Sequence, residues 1–311
     1  MNRSDVDWWG YWPAAPTPFD GDGRLDERAW RALLAMYLDQ RVHGVLVNGS
    51  TGEWFSQSNA ERERLTEIAV EVIAGRVPVV IGVSAYTARE AGALARHAAR
   101  SGASGVLATP PPYVHPSAAE VVAFYSELST STDLPFMVYN WPRGVSIDMC
   151  AEPGLIQRLA DLEQVVAIKD STGDWLAMLH TVESVSAQVR VFGSFLHRRG
   201  LAVLLGMGGD GNIDGGGLGA PFGVAFYEAV RRGDRAAAEQ AADRYVRLSA
   251  GLIRADYSGV FASPIPQLKA AMALLNQPGG QVRPPLLPLD DPGSLAAIQI
   301  LLDEVELTAV R

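Results

Sequence analysis

Eight short apolar runs alternating with amphipathic stretches, all within about 220 residues, predict an α/β fold: a (β/α)8 TIM barrel with a C-terminal helical extension. Three observations carry this reading. The runs fall at residues 11–15, 44–48, 77–83, 105–108, 135–140, 164–169, 189–193 and 211–213. They are apolar throughout rather than alternating, as parallel strands covered on both faces are. Beyond Val224 no further strand-like run occurs. A doubly wound open sheet is the alternative, but it rarely needs so many strands at so regular a spacing.

The helices between the runs announce themselves by their ends. Ser58-Asn59-Ala60-Glu61 is a start signal before residues 62–74. Residues 87–101 follow a strand and stop at Gly102, a residue suited to a C-cap. Ser117, with Glu120 three residues on, opens a helix over 118–128. Later, 225–232, 235–252 and 266–275 read as helices, 283–288 as a proline-rich linker, and 294–307 as a last helix. The expected organisation is a barrel over 1–223 and a helical extension over 224–311.

Composition narrows the function classes. The formal net charge is −9 and the pI about 5.1, which argues against nucleic acid or an anionic membrane as partner. Cys150 is the single cysteine, so neither an intramolecular disulfide nor a cysteine metal cage is available. The five histidines are scattered, and no metal site or cofactor is expected. The first residues, MNRSDVDWWGYW, lack the basic-then-apolar layout of a signal peptide, and no apolar run is long enough to span a membrane. A cytoplasmic location is the expectation.

The lysines are informative because there are so few. The chain has 24 arginines and two lysines, Lys169 and Lys269. Only lysine can lose its proton and act as a nucleophilic amine. Lys169 follows Val165-Val166-Ala167-Ile168 and precedes Asp170-Ser171-Thr172-Gly173, which places it at the C-terminal end of the sixth strand, the face where barrel active sites lie. There it can condense with a ketone to an iminium; a structural ion pair with Asp170 is the competing reading. Lys269 sits in a late helix, and a surface or snorkelling role is expected for it.

Other strand ends carry polar groups. Asn48-Gly49-Ser50-Thr51-Gly52-Glu53 follows the second strand and reads as a tight turn with N–H groups facing a carboxylate or phosphate, or as a plain structural turn. Tyr139-Asn140-Trp141-Pro142 ends the fifth strand, where a tyrosine can relay protons or simply pack. The stiff Pro110–Pro116 loop presents Tyr113 and His115, and Gly215-Gly216-Gly217 is expected to leave room in a pocket.

Together these motifs resemble the dihydrodipicolinate synthase and N-acetylneuraminate lyase family of pyruvate-dependent class I aldolases. Gly49-Ser50-Thr51-Gly52-Glu53 is similar to that family's Gly-Thr/Ser-Thr-Gly-Glu signature, Tyr139-Asn140-Trp141-Pro142 to its Tyr-Asn-x-Pro, and Ile168-Lys169-Asp170-Ser171-Thr172-Gly173 to the segment around its Schiff-base lysine. Ala15-Pro16-Thr17-Pro18-Phe19 and Arg283-Pro284-Pro285-Leu286 also match family segments. The resemblance implies that Lys169 forms the Schiff base and Tyr139 shuttles the proton. It implies that Ser50 and Thr51 bind the substrate carboxylate, with Ser50 also joining Tyr139 in a relay. Tyr113 would cross a subunit interface to complete that relay, and Gly193 and Ile213 would line the pocket with carbonyls. A homotetramer or homodimer is implied. The lysine-biosynthesis synthases carry an arginine two residues after the motif's proline; this chain has Gly144 there and Arg143 one residue earlier. Trp141 and Arg143 are therefore the acceptor-side candidates, with Trp54 flanking the other motif.

The leading reading is a Schiff-base-forming class I lyase or aldolase that joins pyruvate, or a related 2-keto acid, to an aldehyde or releases it from one. A keto-sugar-acid dehydratase and dihydrodipicolinate synthase itself would share the lysine imine. A non-catalytic keto-acid binder is a reading of another class, and a metal-dependent barrel aldolase a third.

Overall fold

Side chains along a barrel strand point alternately into the barrel and out towards the helices, so an apolar run serves both faces. The computed structural model describes residues 1–309. The strands are β1 (Gly10–Ala14), β2 (Val45–Val47), β3 (Val79–Gly82), β4 (Gly105–Ala108), β5 (Phe136–Asn140), β6 (Val165–Asp170), β7 (Arg190–Phe192) and β8 (Gly211–Gly215). They pair in chain order, and β8 returns to lie parallel to β1, closing the barrel. Each of the eight expected runs overlaps one strand, and the fold is the expected (β/α)8 barrel with helices beyond it.

The helices after the strands are α1 (Glu27–Asp39), α2 (Asn59–Ile73), α3 (Ala88–Ser101), α4 (Ala118–Ser129), the one-turn α5 (Pro142–Val145), α6 (Leu155–Ala160), α7 (Trp175–Val185), α8 (Arg198–Gly206) and α9 (Ala220–Arg232). Ser58 and Glu61 form the anticipated capping box, but α2 begins directly after the cap rather than at residue 62. Ser117 and Glu120 cap α4 in the same way. α9 starts five residues before the expected 225, because Pro221 sits in its first turn, where its missing N–H is no loss. It runs across residue 223 and packs on β1. Three helices follow: α10 (Arg235–Leu252), α11 (Pro264–Leu274) and α12 (Pro292–Glu304). Val310 and Arg311, the end of the expected extension, lie outside the described residues. Among the described residues no helix is long and apolar enough to cross a membrane.

Two separate apolar clusters result from the alternation. Val45, Ile81, Val106 and Ile168 face outwards and pack under the helices. Leu46, Val80, Leu107, Met137 and Ala167 face inwards and fill the barrel. The N-terminal end of the interior is plugged by aromatic rings. Trp12 meets Trp8 edge-on at 5.7 Å and Phe192 at 5.1 Å. The interior is filled from this end, so only the C-terminal mouth is left for chemistry.

The plug needs a glycine beside it. A Cβ at Gly44 would lie 2.2 Å from Cε2 of Trp12, whose ring is fully buried and cannot withdraw. Gly44→Ala is therefore expected to destabilise the fold by about 1–3 kcal/mol, the usual range for forced overpacking. Urea denaturation checks this: the midpoint should fall while the slope is kept.

Candidate active site

Lys169 and Tyr139 are partners in the β5–β6 register, so both point into the barrel mouth at the same height. The Lys169 ammonium lies 4.1 Å from the centre of the Tyr139 ring. Lys169 is 8% exposed and Tyr139 5%. Lys269 makes an ion pair; Lys169 makes none among the described residues.

Asp170, the rival partner for Lys169, faces the other way because it is the next residue on the strand. Its Oδ1 accepts from Asn140 Nδ2 at 2.9 Å and from the Thr172 N–H at 3.0 Å, and its Oδ2 from the Thr181 hydroxyl at 2.8 Å. Burial raises its pKa, opposed by these donors. Asn140 also donates to Asp148 at 2.8 Å, and Thr172 to the same carboxylate at 3.0 Å. This network ties the ends of β5 and β6 to α7 and to the loop after α5. It fixes the backbone that carries Tyr139 and Lys169.

The loop after β2 is held from outside the barrel. Asn48 and Glu53 bracket it, both in the left-handed backbone region. Asn48 Nδ2 donates to the Arg62 carbonyl at 2.9 Å, and Thr17 Oγ1 to the Gly52 carbonyl at 2.7 Å. Gly52 and Glu53 N–H groups bond back to Gly49 and Ser50, which leaves the Ser50 and Thr51 N–H groups without acceptors among the described residues. Two adjacent free amides and two hydroxyls at a cavity wall can receive a carboxylate.

Lys269 corrects its sequence reading. It is 4% exposed, not at the surface. Its ammonium donates to the Thr17 carbonyl at 2.7 Å, to Glu53 Oε1 at 2.6 Å and to the Gln281 carbonyl at 2.6 Å. Three acceptors match the three N–H bonds of a compact ammonium, a geometry that a planar guanidinium does not offer. Burial pulls the Lys269 pKa down and the Glu53 charge opposes this. The proline-rich stretch is likewise more than a linker. Arg283 N–H donates to Glu53 Oε2 at 3.2 Å, and its guanidinium bonds Glu61 at 2.7 and 3.1 Å and the Ser56 carbonyl at 2.8 Å. The C-terminal segment thus grips the Ser50–Thr51 loop from behind.

The barrel mouth opens into a cavity of about 940 Å³ that continues between the mouth and α10–α11. Of the candidate residues, Lys169, Tyr139, Ser50, Thr51, Ile213, Trp141 and Arg143 line it. The Ser50 and Tyr139 hydroxyls are not hydrogen-bonded to each other among the described residues. Gly193 is outside the lining; a Cβ there would run into Met178 and Phe195, and the neighbouring Ser194 reaches the cavity instead. Tyr113 is 89% exposed, with φ of +75°, and does not itself line the cavity of its own chain, although Pro112 beside it does. Gly215 lines the cavity as expected, whereas Gly216 and Gly217 are glycines because of positive φ and close contact with Leu268 and Tyr37. Sequence reasoning missed Asp214, which also lines the cavity. It accepts from Tyr11 at 2.6 Å and Tyr245 at 2.9 Å, and burial raises its pKa. The tyrosines that mark it come from β1 and α10, so no local signal exists.

Removing Lys269 as Lys269→Met leaves the Glu53 charge buried and is expected to destabilise the fold by about 3–5 kcal/mol, with Lys269→Arg failing to restore it. Calorimetric unfolding of the three proteins tests both statements. Glu61 is held at about 2, below its usual 4.5, chiefly by Arg283. A depressed carboxylate stabilises above its unfolded pKa and ceases to as pH falls through the folded one, so this contribution is lost between pH 4.5 and about 2. Glu61→Gln should be less stable than the parent at pH 7, by on the order of 1 kcal/mol, and the gap should close towards pH 2 in acid titrations of stability.

Comparison with known proteins gives the same family as the motifs. The model of the dihydrodipicolinate synthetase family matches residues 8–302. An uncharacterized DapA-like lyase of Rhizobium meliloti is 35% identical over 293 residues, 92% of each chain. A 4-hydroxy-tetrahydrodipicolinate synthase of Phenylobacterium zucineum is 34% identical over 94% of this chain and 96% of its own. Among solved structures, YagE, a prophage protein of Escherichia coli K12 crystallised in complex with pyruvate, superposes with a TM-score of 0.85 at 28% identity, covering 97% of this chain and all of its own. The chain belongs to the dihydrodipicolinate synthetase family and is, like its members, a class I carbon–carbon lyase that acts on a 2-keto acid through a Schiff base.

Proposed function

We propose that Lys169 is the imine-forming residue, that Tyr139 moves the proton, and that Ser50 and Thr51 hold the carboxylate of pyruvate or a close relative. One observation carries this: an unpaired lysine amine beside a tyrosine at the floor of a cavity whose wall supplies two free amides. The amine adds to C2 of the keto acid, water leaves, and the cationic imine draws off a C3 proton to give an enamine. The enamine carbon joins an aldehyde carbon, or the reverse step releases one. The Ile213 carbonyl and the backbone beside Gly193 orient the intermediate, while Trp141 meets the acceptor and Arg143, stacked on Tyr257 and bonded to the Ser171 carbonyl, braces the wall beside it. The YagE complex with pyruvate supports the choice of keto acid by analogy.

The working form is inferred to be a tetramer or dimer in the cytoplasm, needing no cofactor. The exposed Tyr113, held at positive φ on a proline-stiffened loop, suits a side chain donated to a partner's relay. A purely keto-acid-binding role is disfavoured because binding alone needs no nucleophilic amine.

Borohydride reduction with pyruvate tests the assignment. Intact-mass analysis should give one adduct per chain, absent in Lys169→Ala. Tyr139→Phe should lower turnover by about 10²–10⁴-fold. No adduct on the parent chain, or an undiminished one on Lys169→Ala, would overturn the mechanism.

A further inference from the structure

The cavity is far larger than its keto-acid end requires, and its mouth carries several aromatic rings. At about 940 Å³ it approaches the upper range of small-molecule sites. The loops after β2, β3 and β5 bring Trp54, Tyr86 and Trp141 to the wall of the cavity. Trp54 meets Tyr86 edge-on at 6.4 Å. Trp141 lies nearly parallel to Tyr139, at 15° and 6.2 Å between ring centres.

Trp141 also explains Gly144. A Cβ at residue 144 would lie 2.1 Å from both Cε3 and Cζ3 of the Trp141 ring. The indole fills the space through which any side chain at 144 would leave the backbone. An arginine cannot stand there while Trp141 keeps this position. The adjacent Arg143 does not replace it: its guanidinium sits 3.4 Å over the Tyr257 ring and donates to the Ser171 carbonyl at 3.1 Å. His197, the other basic group in the wall, has its pKa lowered by burial and spends Nδ1 on accepting the Gly200 N–H, which disfavours its cationic form. Among the described lining residues, no free cation besides Lys169 faces an incoming acceptor.

We propose that the aldehyde joined or released at this site has a flat aromatic body and no carboxylate, and that Trp141 selects it by offering an aromatic ring where a charged clamp would stand. This rests on the imine reading above. In the forward step C3 of the Lys169 enamine attacks the aldehyde carbon, one C–C bond forms, and the nitrogen lone pair gives the iminium as the aldehyde oxygen takes a proton. Water then hydrolyses the iminium, freeing Lys169 and a 4-hydroxy-2-oxo acid with an aryl group at C4. The reverse reaction breaks the same bond. A stacked ring gains from the aromatic wall, whereas a polyhydroxylated chain would leave its hydroxyls facing carbon.

The test pairs trapping with an acceptor panel on the full-length protein. Pyruvate is supplied with benzaldehyde, glyceraldehyde or succinic semialdehyde, and condensation products are measured by mass spectrometry. Benzaldehyde should be preferred by about tenfold or more in kcat/KM, and Trp141→Ala should remove most of that preference. Trp141→Ala with Gly144→Arg should shift the preference towards succinic semialdehyde. If the parent protein traps pyruvate but favours glyceraldehyde or succinic semialdehyde, the acceptor proposal is wrong and the imine reading stands. If it traps no pyruvate, the imine reading itself fails. The parent panel decides even if a variant does not fold.

Discussion

Strand alternation inside a closed barrel is the constraint on which the site depends. Every second residue must point inwards, and the interior is already full of aromatic and aliphatic side chains up to the mouth. The next inward positions on β5 and β6 are therefore the first with open space above them. Tyr139 and Lys169 occupy those positions, and their register makes them neighbours. The same alternation sends Asp170 outwards into a hydrogen-bonded network, so the residue next in sequence to the amine cannot neutralise it. Reactivity at Lys169 thus follows from geometry that serves packing first.

A second constraint acts from outside the barrel. Glu53 is fully buried and takes bonds from both Lys269 and the Arg283 N–H. That arrangement is costly unless every donor and acceptor is matched. Here the matching groups come from the β1–α1 connection, the β2 loop, α11 and the proline-rich segment. The helices beyond the barrel are tied by it to the loop that presents Ser50 and Thr51. Substrate-facing amides and the C-terminal chain form one mechanical unit.

Much of this was legible in the sequence, and the rest fails for identifiable reasons. The eight strands were readable because burial on both faces writes apolar runs, and Lys169 because a lysine ending such a run has only the mouth to face. Ser50, Thr51 and Tyr139 were readable as polar groups at other strand ends. Lys269 was misread because its partners lie 252, 216 and 12 residues away, beyond any local pattern. Asp214 stayed hidden for the same reason. The Trp141–Gly144 contact depends on a side-chain rotamer, which sequence does not specify, and Gly193 gives way to Ser194 because the turn after β7 packs the glycine against Met178 and Phe195.

The two lysines have a practical consequence. One is 8% exposed and the other 4%, and each is committed to a specific environment. The folded chain therefore offers surface-directed amine reagents no exposed lysine among the described residues. The surface is positively charged only through arginine, so the protein is nearly invisible to lysine chemistry until it unfolds or turns over.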